Sequence, residues 1–228
     1  MSDLAQRLAD VDLRLGEVAR AAGRDPGELT RIVVTKFHPA SLVRELHALG
    51  VRDVGENRQQ DLSAKAADTA DLDSLAWHFI GQAQTNKARA IRRAARAVHS
   101  VDRDRLADAL DAAADPDDPV LDVLVQINLT DDPGRGGVAP ECVEALAERI
   151  AAARTLRLRG VMAVAPLDEP PAPAFERLAG YAARVRAVVP DATWISAGMT
   201  ADFAEAIACG ATHLRIGSAI TGPRPPRA

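Results

Sequence analysis

The chain has 228 residues, of which 47% are hydrophobic, 26% charged and 3% aromatic, and its net charge is -4. This length fits one large domain better than two, and the charge argues against nucleic acid or an anionic membrane as the main partner. No apolar run approaches the roughly 18 residues of a membrane span. The cysteines, Cys142 and Cys209, show no disulfide spacing, which predicts a reducing compartment, the cytoplasm.

Strands and helices are predicted to alternate along the chain. The first helix covers residues 2–22, with an apolar stripe that ends near Gly23. A strand over residues 31–36 and a helix over residues 39–49 follow, with Pro39 at the first helical position and Gly50 as C-cap. In that second helix we expect four apolar residues to face inward: Leu42, Val43, Leu46 and Leu49.

Six further pairs of strand and helix, and then a last strand, complete the pattern. The other strands are predicted over residues 51–55, 76–81, 97–100, 121–129, 157–164, 193–196 and 212–216, with residues 121–129 the longest. Helices are expected to end near residues 67, 95, 114, 153, 189 and 209, and those that end near residues 189 and 209 to begin at Phe175 and Thr200. Asp102 and Thr200 are predicted N-caps.

Eight βα units in a length near the typical ~250 residues predict a single (β/α)8 barrel, with a doubly wound open sheet as the alternative. The final residues 223–228, rich in Pro and Arg, are expected to fray.

Lys36 is the first candidate for chemistry. It follows a short run of β-branched residues, so it is expected at the carboxyl end of a buried strand, where α/β proteins bind ligands. Partial loss of water there would lower the pKa of the amine and make it a nucleophile, able to form a Schiff base with a sugar-like aldehyde or with pyridoxal phosphate. A salt-bridged lysine is the alternative. Lys occurs only at 36, 65 and 87 among 28 basic residues, which supports a special role but also fits codon usage.

Two loops at the end of the chain are candidates for phosphate binding. Residues 197–200 (AGMT) follow the seventh strand, and Gly217 and Ser218 follow the eighth, where barrels commonly bind phosphate. Each loop alone is more often a plain turn or helix cap, but two of them at adjacent strand ends favour a phosphate site. Arg215, within the eighth strand, is expected to need a partner. It could pair with a barrel carboxylate, or donate to the ring nitrogen of pyridoxal phosphate and keep that nitrogen unprotonated.

Seven segments together carry a resemblance to a known family: VTKFHP (34–39), VGENRQQ (54–60), WHFIGQAQTNK (77–87), INLTDD (127–132), RGVMAV (159–164), SAGMTADFAEAI (196–207) and HLRIGSAITG (213–222). Over nearly the whole chain the sequence resembles the pyridoxal-phosphate homeostasis proteins, the YggS/PROSC family. The resemblance implies a barrel like the N-terminal domain of alanine racemase.

The resemblance also implies a set of cofactor contacts. Pyridoxal phosphate would be held on Lys36, with Arg215 at the ring nitrogen. The phosphate would be held at Thr200, Gly217 and Ser218. Two further residues would line the pocket: Asn57 and Met199. Thr200 stands where the family commonly has serine and Ser218 where it commonly has threonine, and both keep a hydroxyl. Phe37 and His38 replace smaller or charged residues beside the lysine.

The remaining candidates have ordinary alternatives. His78 is a candidate for bordering the pocket, or else a core histidine, and the five histidines show no spacing of metal ligands. One helix face carries Arg89, Arg92, Arg93 and Arg96, which predicts a solvated face or, as a minor hypothesis, a site for an anionic partner. Residues 131–137 (DDPGRGG) are expected to form a mobile loop from which Arg135 could reach a ligand.

The leading functional hypothesis is a non-catalytic carrier that holds pyridoxal phosphate on Lys36, with no catalytic residue and no metal assigned. Apoenzymes that depend on the cofactor are candidate partners, and a monomer is expected because nothing in the sequence demands an assembly. The first alternative is an amino-acid racemase of related fold. It is disfavoured because the single tyrosine, Tyr181, is expected in a helix outside the barrel and because the chain has no residues for a second domain. The other alternative is a barrel of the class I aldolase type.

Overall fold

Parallel strands and covering helices make up the computed structural model, which describes residues 2–132 and 134–224. The strands are β1 (Thr30–Val34), β2 (Asp53–Glu56), β3 (Ala76–Phe79), β4 (Ala97–Val101), β5 (Leu121–Gln126), β6 (Leu156–Met162), β7 (Trp194–Ser196) and β8 (His213–Ile216). The α-helices are α1 (Asp3–Ala21), α2 (Ala40–Ala48), α3 (Gln59–Asp68), α4 (Ala88–Ala94), α5 (Asp104–Ala112), α6 (Val143–Ala151), α7 (Pro171–Val188), α8 (Phe203–Ala208) and α9 (Ser218–Thr221). Short 3₁₀ turns occupy Pro26–Glu28, Thr85–Lys87 and Pro140–Cys142.

The strands close into a barrel in chain order from β1 to β8. β8 pairs in parallel with β1, so that His213 lies opposite Thr30 and Ile216 lies opposite Val33. This closure confirms the predicted (β/α)8 barrel and excludes the open sheet. It also brings the loops after β1 and β8 together at one end of the barrel, which is the end that carries ligand sites in this fold.

The apolar core lies mainly between the strands and the helices, and it is built almost wholly from Ala, Val, Leu and Ile, as the composition implies. Inside the barrel several polar residues are buried instead, among them His78, His99, Ser196 and Arg215. Because buried polar groups are costly unless they are hydrogen-bonded, this interior is where a functional arrangement is expected.

The first helix forms where its apolar stripe predicts it. Ser2 Oγ accepts the N–H of Ala5 as an N-cap, and Leu4, Leu8 and Leu15 are buried. Arg7 Nε donates to the carbonyl of Ile220 at 2.7 Å, which ties α1 to α9. None of the helices within residues 2–132 and 134–224 has the length and apolar character needed to cross a membrane.

Several predicted boundaries in the first half of the chain are wrong by a few residues. Pro39 is the N-cap of α2, not its first helical residue. α2 ends at Ala48, so Leu49 does not face inward and is 40% exposed. Asp102 does not cap α5, whose N-cap is Arg103, because its carboxylate pairs with the Arg103 guanidinium instead.

The second half shows larger differences. β5 ends at Gln126, and the longest strand is β6, because Ile127 makes only a single bridge to Val138. α7 begins at Pro171 rather than Phe175, since proline needs no N–H partner in the first turn of a helix. The four-residue helix α9 is not predicted from the sequence. Of the residues expected to fray, 223 and 224 are described, while 225–228 lie outside the described residues.

Candidate functional site

Lys36 lies at the mouth of the barrel, two residues beyond the end of β1. The turn that carries it is closed by the N–H of His38, which donates to the carbonyl of Thr35 at 3.0 Å. Phe37 adopts a φ of 71°, a conformation that is rare for a bulky residue and that marks local strain. Lys36 is exposed. The expectation that it would be partly stripped of water is therefore wrong, because the strand ends before it and the described residues leave its side chain exposed.

The buried lysine of this region is Lys65, on α3. Its Nζ lies 2.6 Å from Glu56 Oε1 and donates to the carbonyl of Thr35 at 2.9 Å. Thr35 Oγ1 donates to the same carboxylate oxygen at 2.6 Å. The three side chains, which we call the Glu56 network, are buried and join β2 and α3 to the residue before Lys36. They hold the base of the Lys36 turn.

The neighbours of Lys36 in this turn are a neutral histidine and a partly covered aromatic ring. Partial burial, and then the nearby charge of Lys65, lower the pKa of His38 below its usual value, so this imidazole is neutral at neutral pH. On the other side, the guanidinium carbon of Arg224 lies 3.8 Å from the centre of the Phe37 ring, so this part of the C-terminal segment packs against the Lys36 turn.

Arg215 is buried inside the barrel near the same mouth. One terminal nitrogen donates to Ser196 Oγ at 2.7 Å and the other to the carbonyl of Ala163 at 2.9 Å. In the described part of the chain no carboxylate forms an ion pair with it, which removes the alternative of a barrel salt bridge. Burial lowers its pKa to about 10, against the opposing charge of Asp202, so the guanidinium stays charged at neutral pH. Its other N–H groups remain available to a ligand.

The loop after β7 lies beside Arg215, since the N–H of Arg215 donates to the carbonyl of Gly198 at 3.0 Å. Met199 is 38% exposed and Thr200 is exposed. Thr200 is not the helix cap that the sequence predicts. α8 begins at Phe203 with Asp202 as its N-cap residue, and the Asp202 carboxylate accepts the N–H of Met199 at 2.6 Å.

The loop after β8 lies against β1. A Cβ added at Gly217 would lie 3.6 Å from Val34 Cβ and 3.7 Å from its carbonyl oxygen, which is ordinary contact. Ser218 is exposed and begins α9. The structure therefore brings Lys36, Thr200, Gly217 and Ser218 to one face, with Arg215 below them.

Asn57 follows β2 at this face, and its side-chain oxygen is buried with no hydrogen-bond partner among the described residues. The Glu56 Oε2 and Ser100 Oγ atoms are in the same condition. Because buried polar atoms are nearly always paired in native proteins, these atoms at the ends of β2 and β4 indicate a missing partner. Asn57 Oδ1 can only accept, so this residue fits a ligand that donates a hydrogen bond at the mouth.

Neither ring nitrogen of His78 is free to contact a ligand at the mouth, because both have partners inside the barrel. Its Nδ1 contacts His99 Nε2 and its Nε2 contacts Asp53 Oδ1, both at 2.9 Å, inside the barrel. Burial and the positive surroundings hold the pKa of His99 well below its usual range, and burial lowers the pKa of His213 to about 3. His213 packs against the Trp194 ring with centroids 4.1 Å apart.

The predicted basic face of α4 is not a free cationic surface. Arg92 is buried and donates to the carbonyls of Leu110, Pro119 and Thr155. Arg89 and Arg93 both pair with Asp115, and Arg96 pairs with Asp122. Because Arg92 is buried, the four arginines do not share one solvated face, and the other three are paired with aspartates. The minor hypothesis of an anionic partner at this face stays a prediction.

Two other candidates fall outside the site. Arg135 donates to the carbonyl of Ala165 at 3.3 Å and borders a polar cleft of about 770 Å³ between the loops after β5 and β6. Asn128 Nδ2 ties the loop down by donating to the carbonyl of Asp132 at 2.8 Å. Tyr181 is a residue of α7, outside the barrel, and the guanidinium of Arg184 lies over its ring.

Known proteins resemble this chain over nearly its whole length. Residues 27–225 match the family described as the alanine racemase N-terminal domain. A pyridoxal phosphate homeostasis protein of Pseudomonas aeruginosa is 43% identical over 98% of this chain and 97% of its own length. PipY of Synechococcus elongatus, solved with pyridoxal phosphate bound, is 33% identical, with a TM-score of 0.84 over 96% of this chain and all of that chain.

A more distant structure shares the fold alone. Alanine racemase of Corynebacterium glutamicum is 17% identical, with a TM-score of 0.68 over 97% of this chain and 61% of the racemase. The chain therefore belongs to the alanine racemase N-terminal domain family and, within it, to the pyridoxal phosphate homeostasis proteins.

The Glu56 network generates a prediction about stability. Lys65→Met leaves a buried carboxylate without its cation, and we expect the free energy of unfolding to fall by about 3–5 kcal/mol. Adding Glu56→Gln should recover most of that loss, since the stranded charge is gone. Urea unfolding measures both, with Lys87→Met as the control for losing a lysine. A double variant no more stable than the single one would contradict the network.

His213 predicts a pH dependence of stability. Its pKa of about 3 in the folded protein lies below the 6.5 of an unperturbed histidine, so folding favours the neutral form. This contribution is complete above pH 6.5 and is lost as the pH falls towards 3. We expect His213→Gln to reduce the slope of unfolding free energy against pH by about 1 kcal/mol per pH unit between pH 5 and 6. Urea unfolding at several pH values tests this. An unchanged slope, with His47→Gln as control, would show that His213 is not buried in its neutral form.

Proposed function

We propose that this protein binds pyridoxal 5'-phosphate as a Schiff base on Lys36 and holds it without committed turnover, as a member of the machinery of intracellular pyridoxal phosphate homeostasis. The observation that carries the proposal is Arg215, a buried guanidinium near the mouth of the barrel with no carboxylate partner in the described residues. The bound cofactor in PipY and the names of the curated relatives support the same ligand.

The residues around the mouth fit the cofactor. Lys36 offers an exposed amine, and the Gly217 and Ser218 loop, together with Thr200, offers small residues and hydroxyls for a phosphate. Asn57 contributes a buried side-chain oxygen that has no hydrogen-bond donor among the described residues. Pyridoxal phosphate would supply an aldehyde for the amine, a ring nitrogen for Arg215 and a dianionic phosphate for the two loops.

Arg215 favours holding the cofactor over transforming amino acids. A guanidinium donates hydrogen bonds and gives up no proton at neutral pH, so a ring nitrogen facing it stays unprotonated. The ring is then a weak acceptor of electrons, which is a poor arrangement for transamination. A carboxylate at this place would do the opposite.

The exposure of Lys36 supports reversible loading. An amine in contact with solvent is open to the aldehyde and also to the water or amine that would release it. We infer that apoenzymes that use the cofactor are its recipients and that the protein acts as a monomer in the cytoplasm. The free thiols of Cys142 and Cys209 are consistent with a reducing compartment.

The proposal predicts that Lys36 is the residue that carries the cofactor. Wild-type protein incubated with pyridoxal phosphate should turn yellow, and borohydride should fix the label on the peptide that contains Lys36. Lys36→Ala should stay colourless after gel filtration, because Lys65, the other lysine near the mouth, is buried in its pair with Glu56, whereas Lys87→Ala should behave as wild type. Visible spectra and peptide mapping decide the matter. A colourless wild type, or a yellow Lys36→Ala protein, is incompatible with the proposal.

A racemase is the second candidate function, and its motivation is the fold it shares with this chain. Tyr181 lies outside the barrel, so the described residues offer no tyrosine base at the site. We expect the cofactor-loaded protein to exchange the α-proton of alanine in deuterium oxide no faster than free pyridoxal phosphate does, as measured by proton NMR. Exchange well above that background would favour the racemase.

A further inference from the structure

A continuous chain of hydrogen bonds crosses the inside of the barrel from its amino-terminal end to the mouth. It runs from Asp53 to His78 at 2.9 Å, from His78 to His99 at 2.9 Å, from His99 to Ser196 at 2.8 Å, and from Ser196 to Arg215 at 2.7 Å. These five residues come from β2, β3, β4, β7 and β8. The bond between His99 and Ser196 spans the barrel, since β4 and β7 are not neighbours in the sheet.

The two ends of the chain have fixed roles, because the Asp53 carboxylate accepts and the Arg215 guanidinium can only donate. With one proton on each histidine, the bonds between these ends all run in one direction. His78 then donates from Nε2 and accepts on Nδ1, and His99 donates from Nε2 and accepts on Nδ1, where the Ser196 hydroxyl donates. The Ser196 oxygen in turn accepts from Arg215, which can only donate. All four donors point from the mouth towards Asp53.

The two ends of this chain carry opposite charges. His78, His99 and Ser196 are buried, whereas the Asp53 side chain is 32% exposed at the start of β2. Burial disfavours a charged His99. The chain therefore joins a guanidinium at the mouth to a carboxylate at the opposite face through buried polar groups.

We propose that Asp53, His78, His99 and Ser196 are positioning residues that hold the Arg215 guanidinium charged and in one orientation towards the mouth. Asp53 closes the chain at the other end of the barrel, where its carboxylate meets His78 Nε2. His78 thereby takes a role different from the direct cofactor contact that its sequence segment implies.

The inference rests on the proposed function in one respect, which is that the ligand of Arg215 is pyridoxal phosphate. It explains how an arginine can be buried there at all. An acid in an ion pair with the arginine would compete with the ligand and could protonate a ring nitrogen. The histidines and Ser196 hold the guanidinium by hydrogen bonds instead, with no ion pair to it among the described residues.

The chain is tested first by nitrogen NMR of the histidines at pH 8 without added cofactor. Both His78 and His99 should show a protonated Nε2 and an unprotonated Nδ1. Asp53→Asn replaces the carboxylate by a group that can also donate, so it should give a mixture of tautomers at His78. Asp118→Asn, a carboxylate of similar exposure paired with Arg92, should leave both histidines unchanged. A protonated Nδ1 on His99 in the wild type overturns the proposal.

Affinity for pyridoxal phosphate, measured by spectroscopic titration, tests the positioning. Ser196→Ala should weaken binding roughly tenfold, the loss expected for one hydrogen bond to a charged group, and Ser196→Thr should restore most of it. Asp53→Asn should weaken binding by about threefold, as expected for removing one distant charge. Unchanged affinity in Ser196→Ala and Asp53→Asn sinks the positioning role.

The same experiments separate this inference from the proposed function. Wild-type protein that has both Nε2–H tautomers but does not bind pyridoxal phosphate would contradict the proposed function and leave the directed chain in place. Protein that binds the cofactor but has the opposite tautomers at His78 and His99 would support the proposed function and contradict the directed chain. Urea unfolding of each variant shows that a lost affinity does not come from a lost fold.

Discussion

A guanidinium buried in the barrel is the constraint that orders the rest of this structure. A charge that stays fixed at neutral pH cannot leave water without compensation, and Arg215 finds it in two neutral acceptors, Ser196 and the carbonyl of Ala163. Those bonds occupy one side of the group and leave its other donors unused. Closure of the barrel then places the loops after β1, β7 and β8 around it. The ligand site follows from where this one cation is held.

The two lysines near the mouth, Lys36 and Lys65, have different roles that the sequence alone does not distinguish. Lys65 is buried and pairs with Glu56, so its work is to hold the turn, whereas Lys36 is exposed and is the amine that a ligand can reach. The rarity of lysine supports a special role for Lys36 but does not predict the buried pair of Lys65. Which of them is buried depends on α3 packing over the end of β2, and on β1 ending at Val34, which no local pattern states.

Much of the fold could be predicted because it depends on local patterns. Apolar stripes and turn residues predict eight strands and their helices, and that number favours a closed barrel over an open sheet. The placing of Arg215 in the last strand and of Gly217 directly after it could be predicted as well. Boundaries failed where a neighbour competes for a cap, as Arg103 does for Asp102. The chain through His99 and Ser196 could not be predicted, because these residues are 97 positions apart and meet only when the barrel closes.

A crystal structure of the protein after incubation with pyridoxal 5'-phosphate tests the central claim most directly. The account predicts continuous density from Lys36 Nζ to the cofactor, its ring nitrogen within hydrogen-bond distance of Arg215, and its phosphate at Thr200, Gly217 and Ser218. A cofactor bound to Lys65 or Lys87, or a ring nitrogen that faces a carboxylate instead of Arg215, would contradict it.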